Sequence, residues 1–327
     1  MSPRAIPVSA PGKLFLLGEY AVLGGGPALV TSVNRHVHVE PRNDRGGYEL
    51  RGADFSNALR LPYLVQTVLK EQENLDIDIN QLTVDVGEFV HEQTKLGIGS
   101  SAASTVAIVA STAPHLPMER RFELAWEIHR RLQGGSGSGA DIAASTFGGT
   151  VAFHLHDRTP PFDELDLRGL LEATNPLVTD VATVEGDLEL PEQLRIDAVW
   201  TGSSALSVSF VTAVAKALRH HPRTTSAILK SIAARARVGI KALRDGDADR
   251  FVDAIRKGDR AMERLGNIAQ LPIVTDTHRR IRALAHATHC VAKPSGAGGG
   301  DFTLLVSPAD APVPSPIESD YLVVPVA

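Results

Sequence analysis

Cysteine is almost missing from this chain. Cys290 is the only one, so no disulfide forms within it, and a reducing cytoplasm is the expected home. Long apolar runs are missing too. No stretch approaches the ~20 residues that span a bilayer, and the first residues lack the basic-then-apolar pattern of a secretory signal. A formal net charge of −5 is small and gives no reason to expect nucleic acid or an acidic membrane as partner. Metal-ligand spacing is also lacking. There are twelve histidines, but His36 and His38, like His154 and His156, alternate along strand-like segments whose polar positions face water, and His220-His221 ends a helix. No zinc site is expected. No repeat or low-complexity segment interrupts the chain. What remains is 327 residues, 43% hydrophobic and 22% charged, enough for two ordinary globular domains.

Glycine, by contrast, is concentrated where it matters. Lys95-Leu96-Gly97-Ile98-Gly99-Ser100-Ser101-Ala102-Ala103 sets two glycines before two serines and a small-residue run, Ala102 to Ala113, with helical character. Glycine allows a tight turn and close backbone approach. A helix that starts there presents unpaired N–H groups and the positive end of its dipole to an anion. The hydroxyls of Ser100 and Ser101 add donors, and Ser101 is the candidate ligand for Mg²⁺. This is a phosphate cradle unlike Walker A, because no Gly-Lys-Ser/Thr follows at the required spacing. The alternative is a glycine turn kept for packing.

Two more segments bear on the choice. One is Ala10-Pro11-Gly12-Lys13-Leu14-Phe15-Leu16-Leu17-Gly18-Glu19-Tyr20-Ala21-Val22-Leu23. The other is Lys293-Pro294-Ser295-Gly296-Ala297-Gly298-Gly299-Gly300-Asp301. With the cradle between them, they resemble the three signature motifs of the GHMP small-molecule kinases, a family that includes galactokinase, homoserine kinase, mevalonate kinase and phosphomevalonate kinase. The resemblance runs from Pro11 to Asp301. Within the family four details look most like phosphomevalonate kinases. They are Lys95 just before the Gly-x-Gly-Ser-Ser core, the stretch Gln133-Gly134-Gly135-Ser136-Gly137-Ser138-Gly139-Ala140-Asp141, the Trp200-Thr201-Gly202 segment, and Gly18-Glu19-Tyr20 in place of Gly-Glu-His. Mevalonate kinases carry a Mg²⁺-binding Glu about eleven residues before the catalytic Asp, where this chain has Arg130. After Asp301 comes Phe302-Thr303-Leu304 rather than Cys-Gly-Ile.

The resemblance implies an α+β fold, with an N-terminal domain similar to ribosomal protein S5 domain 2 and a ferredoxin-like C-terminal domain. It implies ATP-dependent phosphorylation of 5-phosphomevalonate to 5-diphosphomevalonate, with ATP and Mg²⁺ as cofactors. The alternatives are mevalonate kinase, a decarboxylase of the same superfamily, or a non-catalytic metabolite sensor. Carried over residue by residue, Asp141 matches the acidic residue that accepts a proton from the acceptor or orients it, and Lys13 the lysine that bridges acceptor and γ-phosphate. Lys95, Gly97, Ile98, Gly99, Ser100, Ser101 and Ala102 hold phosphate. Substrate contacts fall to Lys13, Tyr20, Lys95, Ser136, Gly137, Ser138, Gly139, Ser204, Ser295, Gly296, Ala297 and Gly298. The plainer readings are a helix N-cap for Asp141, a flexible linker for 134–139 and a solvated surface position for Lys95. The partners are small molecules, with no nucleic acid or membrane, in a monomer or homodimer.

Hydrophobic spacing predicts helices over 62–71, 119–133, 207–220, 225–244, 247–265 and 275–289. Strands are predicted at 15–17, 28–31, 33–39, 82–86, 148–154, 194–200, 290–293 and 302–307, with an edge strand at 321–326 where Pro325 lacks a donor. Phe122, Ala125, Ile128 and Leu132 form the buried stripe of the second helix. A shift toward Pro, Asp, Glu and Thr between 157 and 192 places a domain junction there, with an N-terminal domain of 1–185 and a C-terminal domain of 186–327.

Overall fold

A computed structural model describes residues 5–42, 48–52, 60–77, 79–134, 137–155, 182–186, 188–204, 207–288 and 290–326. Ser136, His156 and most of the expected domain junction lie outside them. The described residues form two compact units. The first holds the residues through Lys13 and Ser32–Gly148. The second holds Leu14–Thr31 and the residues from Gly149 onward.

In the first unit, strand β1 (Val8–Leu17) contributes its residues through Lys13 and β2 (Ala28–Pro41) those from Ser32 onward. β4 (Leu82–Asp85) pairs antiparallel with β2, His38 opposite Asp85, and parallel with β3 (Glu49–Arg51). Spacing alone predicts β2 as two strands; it is one, because Ser32 lies in extended, buried backbone. β5 (Val90–His91) and β6 (Thr94–Lys95) form a short hairpin. Four helices complete the unit: α1 (Arg60–Glu73), α2 (Ser100–Thr112), α3 (Met118–Leu132) and α4 (Ala140–Phe147). Helix α2 is buried on every side from Ala102 to Thr112. Its side chains are small, which lets α1, α3 and α4 approach it closely. Helix α3 is amphipathic, and its predicted stripe of Phe122, Ala125, Ile128 and Leu132 is buried.

In the second unit, Ala28–Thr31 of β2 pair with β7 (Thr150–Leu155), which pairs with β8 (Ala182–Glu185). A separate antiparallel sheet runs β10-β11-β9-β12, built from β9 (Leu194–Trp200), β10 (Val291–Pro294), β11 (Phe302–Pro308) and β12 (Val323–Pro325). Pro325 stands on the outer strand, where its missing N–H costs no ladder bond. Helices α5 (Ser207–His220), α6 (Pro222–Asp245), α7 (Ala248–Ala269), α8 (Asp276–His286) and α9 (Ser315–Asp320) supply the rest. One core packs Ile228, Leu229 and Ile232 of α6 on Met262 and Leu265 of α7, with Tyr20 and Ala21. A second packs Ile281 and Ala285 on Val199 and Leu305, and encloses Cys290.

Helix α8 starts with a reciprocal cap. Thr275 Oγ1 accepts from the His278 N–H, and His278 Nδ1 accepts from the Thr275 N–H at 3.1 Å. Burial, with Arg282 adding to it, pushes the His278 imidazole down to about 4 from 6.5. The unfolded state therefore binds a proton near pH 6.5 that the native state refuses until about pH 4. Stability contributed here is complete above 6.5 and falls as pH drops through that window, by about 3 kcal/mol in all. Urea unfolding between pH 7 and 4 is expected to show this decline, and His278→Gln to flatten it. An unchanged slope in the variant would refute the assignment.

Candidate functional site

The glycine-serine segment folds into a left-handed turn on the first unit. Leu96 N–H donates to Phe89 O at 2.9 Å, and Lys13 N–H donates to Ile98 O at 2.8 Å, which fastens the turn to β1. Gly99 has φ +83 and caps α2. A β-carbon there would stand 3.0 Å from Lys13 Cε, so the Lys13 stem runs across this glycine. The first intrahelical bond is Ala103 N–H to Gly99 O. The N–H groups of Ser100, Ser101 and Ala102 therefore have no helical carbonyl to meet. Ser100 is half-buried and the Ser101 side chain is exposed. Lys95, half-buried on β6, leads into the turn.

Asp141 enters from a second glycine turn. Gly139, φ +85, is the N-cap of α4; a β-carbon on it would stand 2.0 Å from Trp126 Cδ1. Trp126 Nε1 donates to Ser138 O at 3.3 Å, and the Arg130 guanidinium lies 5.2 Å from the Trp126 ring. Asp141 is thus the second residue of α4, which corrects its reading as the N-cap. Its side chain folds onto the following peptide instead, Oδ1 accepting from Ile142 N–H at 3.0 Å. Oδ2 stands 3.9 Å from Nδ1 of His129, a buried residue on α3. Burial lowers the His129 imidazole; Asp141 opposes that shift and Lys13 reinforces it. Ser138 is buried, and its Oγ accepts from Ala140 N–H. The turn is packed against Trp126, unlike a free linker.

The first unit therefore assembles Lys13, Lys95, Gly97–Ala102, Gly137–Gly139 and Asp141. The second unit gathers the others. Tyr20 Oη donates to Ala297 O at 2.6 Å, Ser295 Oγ to Phe15 O at 3.0 Å, and Ser204 Oγ to Asp301 Oδ1 at 2.9 Å. All three hydroxyl protons are committed internally, so these groups meet a ligand as acceptors. Burial and the adjacent Glu19 carboxylate hold the Tyr20 phenol well above its usual range. Gly296 and Gly298 turn the third motif with left-handed backbone. Beneath it Lys293 Nζ donates to Glu19 Oε1 and to Pro294 O, both side chains fully enclosed.

Sequence reasoning did not single out His129, Glu19 or Lys293. A signal existed for the last: a lone lysine inside the buried strand Val291-Ala292-Lys293-Pro294 needs a partner.

Residues 64–149 match the model of the GHMP kinases N-terminal domain. A phosphomevalonate kinase from Streptomyces sp. (strain CL190) is 30% identical across 94% of this chain and 91% of its own. The chain belongs to the GHMP kinase family. A mevalonate kinase of Aeropyrum pernix is 26% identical to this GHMP kinase across 91% of its length and 87% of the relative's. The solved Streptococcus pneumoniae phosphomevalonate kinase in complex with phosphomevalonate and AMPPNP superposes with a TM-score of 0.79 at 20% identity, over 98% of this chain and 100% of that one. The GHMP kinase α+β fold is thereby shown. Among the described residues of this GHMP kinase no helix is long and apolar enough to cross a membrane.

Proposed function

We propose that this GHMP kinase transfers the γ-phosphoryl group of ATP to the phosphate of 5-phosphomevalonate, forming 5-diphosphomevalonate. The observation that carries phosphoryl transfer is the pairing in one unit of a helix N-terminus with the Lys13 stem laid across its glycine cap. The acceptor rests on the Streptomyces relative. Phosphoryl transfer asks for alignment and charge neutralisation more than covalent catalysis. In this reading the backbone of Gly97–Ala102 holds nucleotide phosphate, and Lys13 supplies a compact cation where charge gathers. Lys95 meets the acceptor's phosphate. Asp141, anchored through Ile142 N–H, orients the attacking oxygen; a phosphate with second pKa near ~6 scarcely needs a base at neutral pH. On the first unit, backbone N–H groups of Gly137–Gly139 bind acceptor oxygens; on the second, the Gly296–Gly298 backbone offers further N–H donors, and the Tyr20, Ser204 and Ser295 oxygens, their protons committed, accept from a substrate hydroxyl.

Among the described residues no three or more His, Cys, Asp or Glu side chains are grouped so that they could hold a metal ion. Exposed Ser101, joined by nucleotide oxygens, fits the sparse protein ligation usual for Mg²⁺. Bound with ATP, the ion would neutralise phosphate charge.

The test is ADP release from Mg-ATP with mevalonate, 5-phosphomevalonate or 5-diphosphomevalonate, with product masses measured. Turnover of 5-phosphomevalonate alone, with gain of one phosphoryl group, is expected. Turnover of mevalonate instead transfers the assignment to mevalonate kinase. No turnover of any favours a sensor.

A further inference from the structure

Asp141 is held from two sides, and only one of them is backbone. On the other side lies His129, the most deeply buried titratable group beside it. The two ring nitrogens of His129 are distinct in their neighbours. Nε2 is 3.2 Å from Nε2 of Gln133, one helical turn along α3. Two nitrogens at that distance need one donor and one acceptor. The Gln133 amide oxygen is turned toward the glycine loop, where a β-carbon on Gly137 would stand 2.4 Å from it. The Gln133 NH₂ group therefore donates to His129 Nε2. In a neutral ring the proton then resides on Nδ1, the atom that faces Asp141 Oδ2 at 3.9 Å. The same tautomer is the one a carboxylate neighbour favours. Burial keeps the ring neutral, so it presents a directed N–H dipole and no second full charge beside Lys13.

Building on the catalytic reading of Asp141, we propose that His129 is a positioning residue for that aspartate, the middle member of a Gln133–His129–Asp141 relay. The relay touches the substrate loop at Gly137 and the carboxylate at Oδ2, so loop and carboxylate are set by one chain of contacts. A separation of 3.9 Å is longer than a hydrogen bond and closes by a small side-chain adjustment when an acceptor orders the site. Asn at 129 places an amide nitrogen near the position of Nδ1; Leu fills the space and donates nothing.

Four measurements on the full chain decide it. His129→Leu is expected to lower kcat by roughly tenfold or more with KM for ATP and acceptor within about threefold, and His129→Asn to recover most of the loss. On an Asp141→Asn background His129→Leu is expected to add less than about twofold, because the group it positions is gone. ¹⁵N-edited NMR at neutral pH is expected to report the Nδ1–H tautomer for His129. Gln133→Leu, at an exposed position, is expected to lower kcat in the same sense, and it reads the relay even where His129→Leu does not fold. An Nε2–H tautomer, a His129→Leu loss that multiplies in full on Asp141→Asn, or unchanged kcat in both single variants overturns the inference while leaving Asp141 catalytic. Wild-type activity in Asp141→Asn alone is a separate result, which removes the reading of Asp141 and the relay's purpose with it.

Discussion

Asp141→Asn is expected to cut kcat by roughly tenfold to a hundredfold with 5-phosphomevalonate, leaving KM for ATP within a few-fold. The size of that loss is informative in itself. An alcohol acceptor must shed a proton as it attacks, and removal of the group that takes it costs about 10²–10⁴. A phosphate acceptor is largely ionised at neutral pH, so the aspartate contributes alignment and field. The asparagine keeps the shape and the contact with Ile142 N–H, which confines the change to charge. Steady-state ADP release with mass-confirmed product measures it. A thousandfold loss would speak for an alcohol acceptor, and no loss would remove Asp141 from the mechanism.

The largest effect on stability is expected at Lys293→Met. Lys293 and Glu19 are enclosed to 0% and 2% exposure of their side chains. Removal of the ammonium leaves the carboxylate with a buried charge and without the Lys293 counter-charge, a change that costs about 3–5 kcal/mol. Glu19→Gln is expected to be destabilising for the mirror reason. Combining the two removes both charges together, so the double variant should lie well above the sum of the singles. Urea unfolding of the four proteins gives the coupling directly. Additive losses, or a Lys293→Met cost below about 1 kcal/mol, would show that the pair is solvated in a way its burial does not suggest.

Legibility in the sequence followed how local each cause was. Helices α3 and α5 and strand β9 were readable to within a residue or two, because amphipathic spacing and bounding residues are written into adjacent positions. The glycine cradle was readable because Gly97 and Gly99 need a backbone that other residues resist. The position of Asp141 inside α4 was not, since choosing between Gly139 and Asp141 as cap depended on Trp126, thirteen residues before Gly139, filling the space a side chain would take. His129 was hidden for the same reason. In sequence it is one more basic residue in the run His129-Arg130-Arg131, and only the packing of α3 on α4 turns it inward. The internal bonds of Tyr20 and Ser295 join positions 277 and 280 residues apart, beyond any local pattern.

The chain enters its second unit at Leu14, leaves after Thr31 and returns at Gly149. A gene cut just ahead of Gly149 would give a C-terminal polypeptide without Ala28–Thr31, the strand beside β7, and without Glu19, the partner of Lys293. Such halves should be insoluble when produced separately. Soluble protein should return when they are produced together, or when a synthetic Leu14–Thr31 peptide is joined ahead of residue 149. For deletion mapping, the working parts of this enzyme are therefore interleaved segments, and no single scissile point separates them.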